Sequence, residues 1–305
     1  MSGTSKTLYN NYLVNEMRLL VNIPFYDRTF DTYGGDLTDK SDKYAYFMNE
    51  HLNKTSSIRR DAVYHTLSKT LKEINKYEVF SEINVRIDTN SKIQASNFNL
   101  KELTLKPKFK IDIIHHSVKN PFLLTWVHRS FVAANIANYD WVMYLEDDII
   151  VPVSSVNEYM KWSVSLYKYR NKLLHFVRVV KDKNEKMFFG DLRRPVRYTE
   201  LFKFNDSLFG SMSYSYSAVW MYPKIIMKDF VKHQDWSRPR IKHDLRASAS
   251  FGFMNHPMCN TKCLITIYPC DNLKVFHVLA SGKWYHRSHT TSLAFKNGTG
   301  WVFSK

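Results

Sequence analysis

Tyr144-Leu145-Glu146-Asp147-Asp148-Ile149-Ile150-Val151 sets three consecutive carboxylates between two apolar runs, directly after Trp141-Val142-Met143. A short apolar run of this kind reads as a strand buried on both faces, as inside a parallel sheet. Acids at its end are fixed by a rigid element yet reach solvent. Three carboxylates this close repel one another by on the order of a few kcal/mol at intermediate dielectric, and a cation offsets that repulsion. Clustered oxygen ligands suit a hard divalent ion, Mg²⁺ or Mn²⁺, and such an ion would hold the phosphates of a nucleotide. The plain alternative is an acidic turn on a solvated surface. The apolar runs on both sides argue against it.

Outward from this strand, the chain alternates. Arg18-Leu19-Leu20-Val21-Asn22-Ile23 reads as a strand closed by Pro24. Val63, Leu67, Leu71 and Ile74 recur at helical spacing. Ile83-Asn84-Val85-Arg86-Ile87 reads as a second strand ending at Asp88-Thr89-Asn90, and residues 109–114 as a third. Asn120-Pro121 opens a helix running to about Ala137, with proline in its first turn. Beyond the acids, Ser155-Val156-Asn157-Glu158 has the form of a capping box. The helix it opens carries Val156, Tyr159, Met160, Val164 and Tyr167 on its apolar face. Residues 173–180 read as a strand, the charged stretch 182–208 as a long functional loop, and 214–222 as another strand. Pro223 starts a helix through about Trp236, and a shorter one begins near Asp244. Residues 264–268 and 274–278 are late strands.

Strands alternating with helices predict a parallel α/β sheet. Right-handed crossovers then put ligands at the carboxyl ends of the strands. Pro24 to Arg28, Asp88-Thr89, His115-His116 and Glu146 to Asp148 all fall at such ends. Several separate stretches converging on one edge make that edge the predicted site.

The formal net charge of +16 attracts anions: nucleotides, nucleic acid, acidic glycans or anionic membrane faces. A lysine-rich solvated surface is the other reading. No zinc finger, aromatic RNA-binding signature or single basic helix supports nucleic acid. No 18-residue apolar stretch predicts a membrane span, and Met1-Ser2-Gly3-Thr4-Ser5-Lys6 lacks the apolar core of a signal peptide. Three cysteines fit a reducing compartment, so a cytoplasmic location is expected, with peripheral membrane contact left open. His256, Cys259, Cys263 and Cys270 match no standard zinc spacing and read as free or buried thiols.

Trp141-Val142-Met143-Tyr144-Leu145-Glu146-Asp147-Asp148 resembles the acid-tipped strand of the GT-A fold glycosyltransferases, whose signature is two acids flanking one residue, here Glu146 and Asp148. Leu124-Thr125-Trp126-Val127-His128-Arg129 stands where that family has a helix bearing an arginine that meets the sugar nucleotide. Phe209-Gly210-Ser211-Met212 is similar to its glycine-bearing acceptor loop, Lys242-His243-Asp244 to its acidic motif opening a helix, and His277 to its C-terminal histidine. The motif departs from the commonest pattern by opening on Glu rather than Asp. Composition and size also resemble glycosyltransferases of large algal DNA viruses, which would place a virus-encoded protein in the host cytoplasm.

The resemblance implies one GT-A-like catalytic domain over 1–305: a mostly parallel sheet with helices on both faces, a Rossmann-like nucleotide-sugar-binding half over about 17–152, and an acceptor-binding half over about 153–290. It implies an enzyme that moves a sugar from a nucleoside-diphosphate sugar to a hydroxyl of a glycan or glycoconjugate, with inversion, using Mn²⁺ or Mg²⁺. Asp148 would bind the metal directly. Glu146 would touch the ribose or a metal-bound water, Asp147 would face the donor sugar or help the metal site, and His277 would complete the metal shell. Pro24, Tyr26 and Arg28 would line the nucleotide pocket, Asp88 would hydrogen-bond the base, Arg129 would meet the donor, and Lys283 and Tyr285 would clamp the diphosphate. Asp244 would take the proton from the acceptor hydroxyl, with Asp235 and Asp191 as fallbacks.

Each assignment has a plainer counterpart. Arg129 could be a helix-face cation paired with an acid, His277 a core histidine, Asp88 a turn acid and Asp244 a helix cap. Trp126, Trp220 and Trp284 could stack on sugars or sit in the core. Arg193, Arg194 and Arg197 could meet an acidic acceptor or be solvated. Two rival functions remain: a nucleotidyltransferase with the same acids and metal, and a basic nucleic-acid-binding protein whose binding falls steeply with salt.

Overall fold

The computed structural model describes residues 16–26, 56–98, 108–118, 123–170, 172–181, 187–189, 198–212, 218–233, 236–239, 249, 263–268 and 273–277. Its centre is a five-stranded sheet. The strands are β1 (Arg18–Phe25), β2 (Glu82–Thr89), β3 (Phe109–His115), β4 (Trp141–Leu145) and β11 (Val219–Pro223), in the order β11-β4-β1-β2-β3. β1 pairs in parallel with both β2 and β4, β2 with β3 in parallel, and β11 runs antiparallel along β4. The protein is thus a mixed α/β fold on a mostly parallel sheet.

Alternation along the strands builds two cores. Leu19, Val21, Ile23 and Phe25 of β1, with Ile83, Val85 and Ile87 of β2 and Met143 and Leu145 of β4, face one side. Helix α1 (Ser56–Ile74) covers them with Leu67, Leu71 and Ile74, a stripe at helical spacing. Burying each of these side chains contributes about 1.5–3 kcal/mol. Helix α3 (Val153–Arg170) adds Val156, Tyr159, Met160 and Leu166 to the same core. On the other side, Leu20, Val142, Tyr144, Trp220 and Tyr222 meet Val132 of helix α2 (Leu124–Asn135) and Ile226, Met227 and Phe230 of helix α4 (Lys224–Val231). No helix among the described residues is long and apolar enough to cross a membrane.

Two four-stranded sheets flank this unit. One orders as β6 (Leu173–Leu174), β12 (Cys263–Tyr268), β10 (Ser207–Met212) and β9 (Tyr198–Phe204). The other orders as β5 (Ile149–Ile150), β13 (Lys274–His277), β7 (Val177–Lys181) and β8 (Met187–Phe189).

Several sequence expectations need correction. The supposed loop 182–208 contains β8 and the hairpin β9–β10. Phe202, Phe204 and Phe209 pack against the core, and Asn205 and Asp206 turn the chain at φ 44° and 63°. Positive φ at both central residues is what a tight hairpin turn demands, and Asn and Asp tolerate it better than most residues. Gly210 therefore lies in a strand, not in a loop. The single strand expected over 173–180 breaks at His175-Phe176 into β6 and β7, which join different sheets. Helix α3 starts at Val153, so Ser155 and Glu158 sit inside it rather than forming a capping box; Glu158 instead accepts from Trp162 Nε1. Val164 is exposed, while Trp162, Ser163 and Leu166 turn inward. Helix α2 begins at Leu124 and tightens into a 3₁₀ turn over Ile136–Asn138, and α4 stops at Val231. Pro24 does not close β1 but continues it, in register with Asp88. Pairing to β4 ends at Asn22, so on that side the missing proline N–H costs no ladder bond.

Candidate functional site

The acids occupy the tight connection between β4 and β5. Ile149 N–H donates to Glu146 C=O at 3.1 Å, closing a four-residue turn with Asp147 and Asp148 at its tip. Glu146 and Asp148 are 6 % and 8 % exposed, and Asp147 is half-buried. A solvated surface turn would leave all three in water, so that alternative does not describe this turn.

Sheet order gives the turn its meaning. From β1 the chain steps outward through β2 to β3, then returns to lay β4 on the opposite side of β1. The carboxyl ends of β1 and β4 therefore flank a topological switch point, where open α/β sheets bind ligands. Glu146 follows β4 directly, two residues past the Asn22–Tyr144 pairing. The second partner arrives from far along the chain: β13 pairs antiparallel with β5, setting His277 against Ile149, next to Asp148. Only the backbone of His277 lies within the described residues; its side chain does not.

On the β2 side, Pro24 stands beside Asp88, and Tyr26 follows the end of β1. Asp88 is 1 % exposed. Arg86 Nε donates to its two oxygens at 2.9 and 3.1 Å, and Arg86 Nη2 lies 2.8 Å from Oδ1. His116 Nε2 reaches the same Oδ1 at 2.6 Å. Among the described residues Oδ2 accepts only from Arg86 Nε and keeps acceptor capacity. Asp88 is thus an oriented carboxylate rather than a plain turn acid. Its two partners, Arg86 and His116, were not singled out as site residues, although the His115-His116 pair was visible at its strand end.

No protein-family model matches this chain, and no curated protein matches it.

Arg129 is 2 % exposed. Its Nη1 donates to Trp236 C=O at 3.0 Å and its Nη2 to Ala249 C=O at 2.8 Å. The guanidinium carbon lies 4.2 Å from the Trp126 ring centroid and 4.5 Å from that of Trp236. In this geometry the side chain braces the second core, with both terminal nitrogens given to backbone carbonyls. Trp126 and Trp220 are core residues, at 4 % and 1 % exposure. Arg28, Asp191, Asp235, Asp244, Lys283, Trp284, Tyr285 and the arginines 193, 194 and 197 lie outside the described residues. So do His256, Cys259 and Cys270; Cys263 opens β12.

Among the described residues, no three His, Cys, Asp or Glu side chains gather into a ready-made metal cage. Magnesium-type sites on nucleotides seldom need one. They take one or two carboxylates and complete the shell with phosphate oxygens and water. Two nearly buried acids in one turn, Glu146 and Asp148, fit that donor set.

Beneath this edge, His128 of α2 stacks on Tyr144 with ring centroids 5.1 Å apart. It is 1 % exposed, and neither ring nitrogen has a hydrogen-bond partner among the described residues. Burial holds its pKa well below the usual 6.5, helped by the charges of Arg129 and Arg86. The folded protein therefore keeps a neutral imidazole that the unfolded chain protonates once pH drops below about 6.5. Above that pH both states are neutral and His128 adds no pH dependence. Below it, stability falls by about 1.4 kcal/mol per pH unit until the folded pKa is reached. Urea midpoints of the protein and of His128→Phe should diverge between pH 7.5 and 5.5, the variant losing less. Parallel curves would show that His128 does not drive acid sensitivity.

Proposed function

We propose that this chain is a metal-dependent glycosyltransferase of the GT-A type, using a nucleoside-diphosphate sugar and transferring to a hydroxyl of a glycan or glycoconjugate. The observation that carries this reading is the pair of nearly buried acids, Glu146 and Asp148, at the β1/β4 switch point, with the strand of His277 registered against Ile149 beside them. A net charge of +16 adds an attraction for the anionic donor.

In this reading Glu146, Asp148 and His277 hold Mn²⁺ or Mg²⁺, and Asp147 faces the donor sugar. The bound cation supplies Lewis-acid neutralisation of charge growing on the departing diphosphate. Pro24 and Tyr26 border the nucleotide from the end of β1, with Arg28 beyond them. Asp88, oriented by Arg86 and His116, offers Oδ2 to the base. Lys283 and Tyr285 clamp the diphosphate. Asp244 accepts the proton of the attacking hydroxyl, so that the new bond forms on the face opposite the leaving group.

A thermal-shift screen of nucleoside diphosphates, with and without Mn²⁺, tests the reading. A ligand at a hundredfold its Kd that binds only the folded state adds about 2.7 kcal/mol, a rise of roughly 5 °C for a chain of this size. Selective stabilisation by one base, dependent on Mn²⁺, is expected. No response to any nucleotide with metal present overturns the proposal. Release of pyrophosphate rather than nucleoside diphosphate in a turnover assay would make the chain a nucleotidyltransferase instead.

A further inference from the structure

Three side chains of α1 and the turn after it fasten the segment that carries the acids. Thr70, 1 % exposed, places Oγ1 3.4 Å from Asp147 C=O and 3.2 Å from Ile149 C=O. Glu73 Oε1 accepts Val153 N–H at 3.3 Å, and Tyr77 O–H donates to Val151 C=O at 2.6 Å. The carbonyls of 147, 149 and 151 thus all turn toward α1. From the other side, Ala218 C=O accepts Glu146 N–H at 3.0 Å. Ala218 is fully buried at φ 58°, a backbone state that costs a non-glycine residue about 1–3 kcal/mol and persists only where its surroundings hold it.

The geometry points to Thr70 as a positioning residue that holds the acid turn in its ligand-presenting shape. A helical serine or threonine can return its hydroxyl to the carbonyl four residues back, as Ser68 does with Tyr64 C=O while also reaching Phe98 C=O. Thr70 instead spans 77 and 79 residues of sequence, to the two carbonyls that bracket Asp148. Its single proton is shared between them, so the contact pins the 147–148 peptide just before that acid and the 149–150 peptide just beyond it. The need for a clamp is electrostatic. Three adjacent carboxylates repel one another, and a turn held from α1 and from Ala218 keeps Glu146 and Asp148 together in advance. Losing supporting contacts around a metal site typically costs about tenfold to a hundredfold in affinity.

This inference rests on the metal-binding reading for its consequence but not for its test. Thr70→Val keeps the shape and removes the hydroxyl; Thr70→Ser restores it. Two quantities are measured on the full chain: Mn²⁺ affinity by calorimetry, and hydrogen exchange of the Ile149 amide without metal. Thr70→Val should weaken Mn²⁺ binding roughly tenfold to a hundredfold and speed Ile149 exchange, and Thr70→Ser should recover both. A purely structural threonine would lower the melting temperature and leave the Mn²⁺ affinity of the folded fraction alone. Wild-type affinity and exchange in Thr70→Val overturn the inference. Wild-type protein that takes up no Mn²⁺ while Ile149 exchange still responds to Thr70 overturns the metal reading and leaves the positioning role standing.

Discussion

Asp148→Ala should abolish Mn²⁺-dependent donor binding, raising the metal Kd by more than roughly a hundredfold, the upper range for mere supporting contacts. The fold should stay intact. Both halves follow from one arrangement. Asp148 sits 8 % exposed in a turn with two other acids, so deleting its charge removes like-charge repulsion from the metal-free fold. The turn is held by backbone bonds as well. Its bonds run from Ile149 N–H to Glu146 C=O and from Glu146 N–H to Ala218 C=O. Calorimetric titration with Mn²⁺, paired with a thermal melt, separates the two. A variant that binds donor as wild type does would remove Asp148 from the site. Salt-sensitive DNA or RNA binding that survives the substitution would favour the nucleic-acid reading.

The legible part of this fold is the part that local pattern controls. Leu19 to Ile23 and Trp141 to Leu145 are largely apolar because both faces of the central sheet are covered there, Ile83 to Ile87 alternates apolar and polar residues, and each is found as a strand. The carboxyl-edge prediction followed from their alternation with helices. Less legible were features that depend on remote partners. The hairpin at Asn205-Asp206 carried its turn chemistry openly, yet the surrounding charge disguised it as a loop. The break at His175-Phe176 serves two different sheets, and no local rule announces that. The Arg86–Asp88–His116 contact needs β3 beside β2 to bring residue 116 to residue 88. Thr70 looked like any other residue of α1, since nothing within a helical turn of it reveals a carbonyl 77 residues away. His277 was named from resemblance, and its strand pairing beside Ile149 is a tertiary fact.

Arg129→Ala is expected to cost about 3–5 kcal/mol of stability, the range for cutting a large buried side chain back to alanine. Its guanidinium lies between the rings of Trp126 and Trp236 and feeds two backbone carbonyls. Trp236 returns the contact, donating from Nε1 to Arg129 C=O at 2.7 Å. Truncation therefore strands the carbonyls of Trp236 and Ala249, unstacks two indoles and opens a hole in the second core. Arg129→Lys should rescue little, because an ammonium cannot lie flat between two rings while serving both carbonyls. Chemical denaturation reads the loss directly, and donor titration gives the contrast. A nucleotide-contacting arginine would, on truncation, weaken donor binding and leave the unfolding midpoint in place. A brace does the reverse: the midpoint falls, and the protein still folded binds donor with near wild-type affinity. An unchanged midpoint with weakened donor binding would return Arg129 to the nucleotide site and require its side chain to leave the Trp126–Trp236 stack on binding.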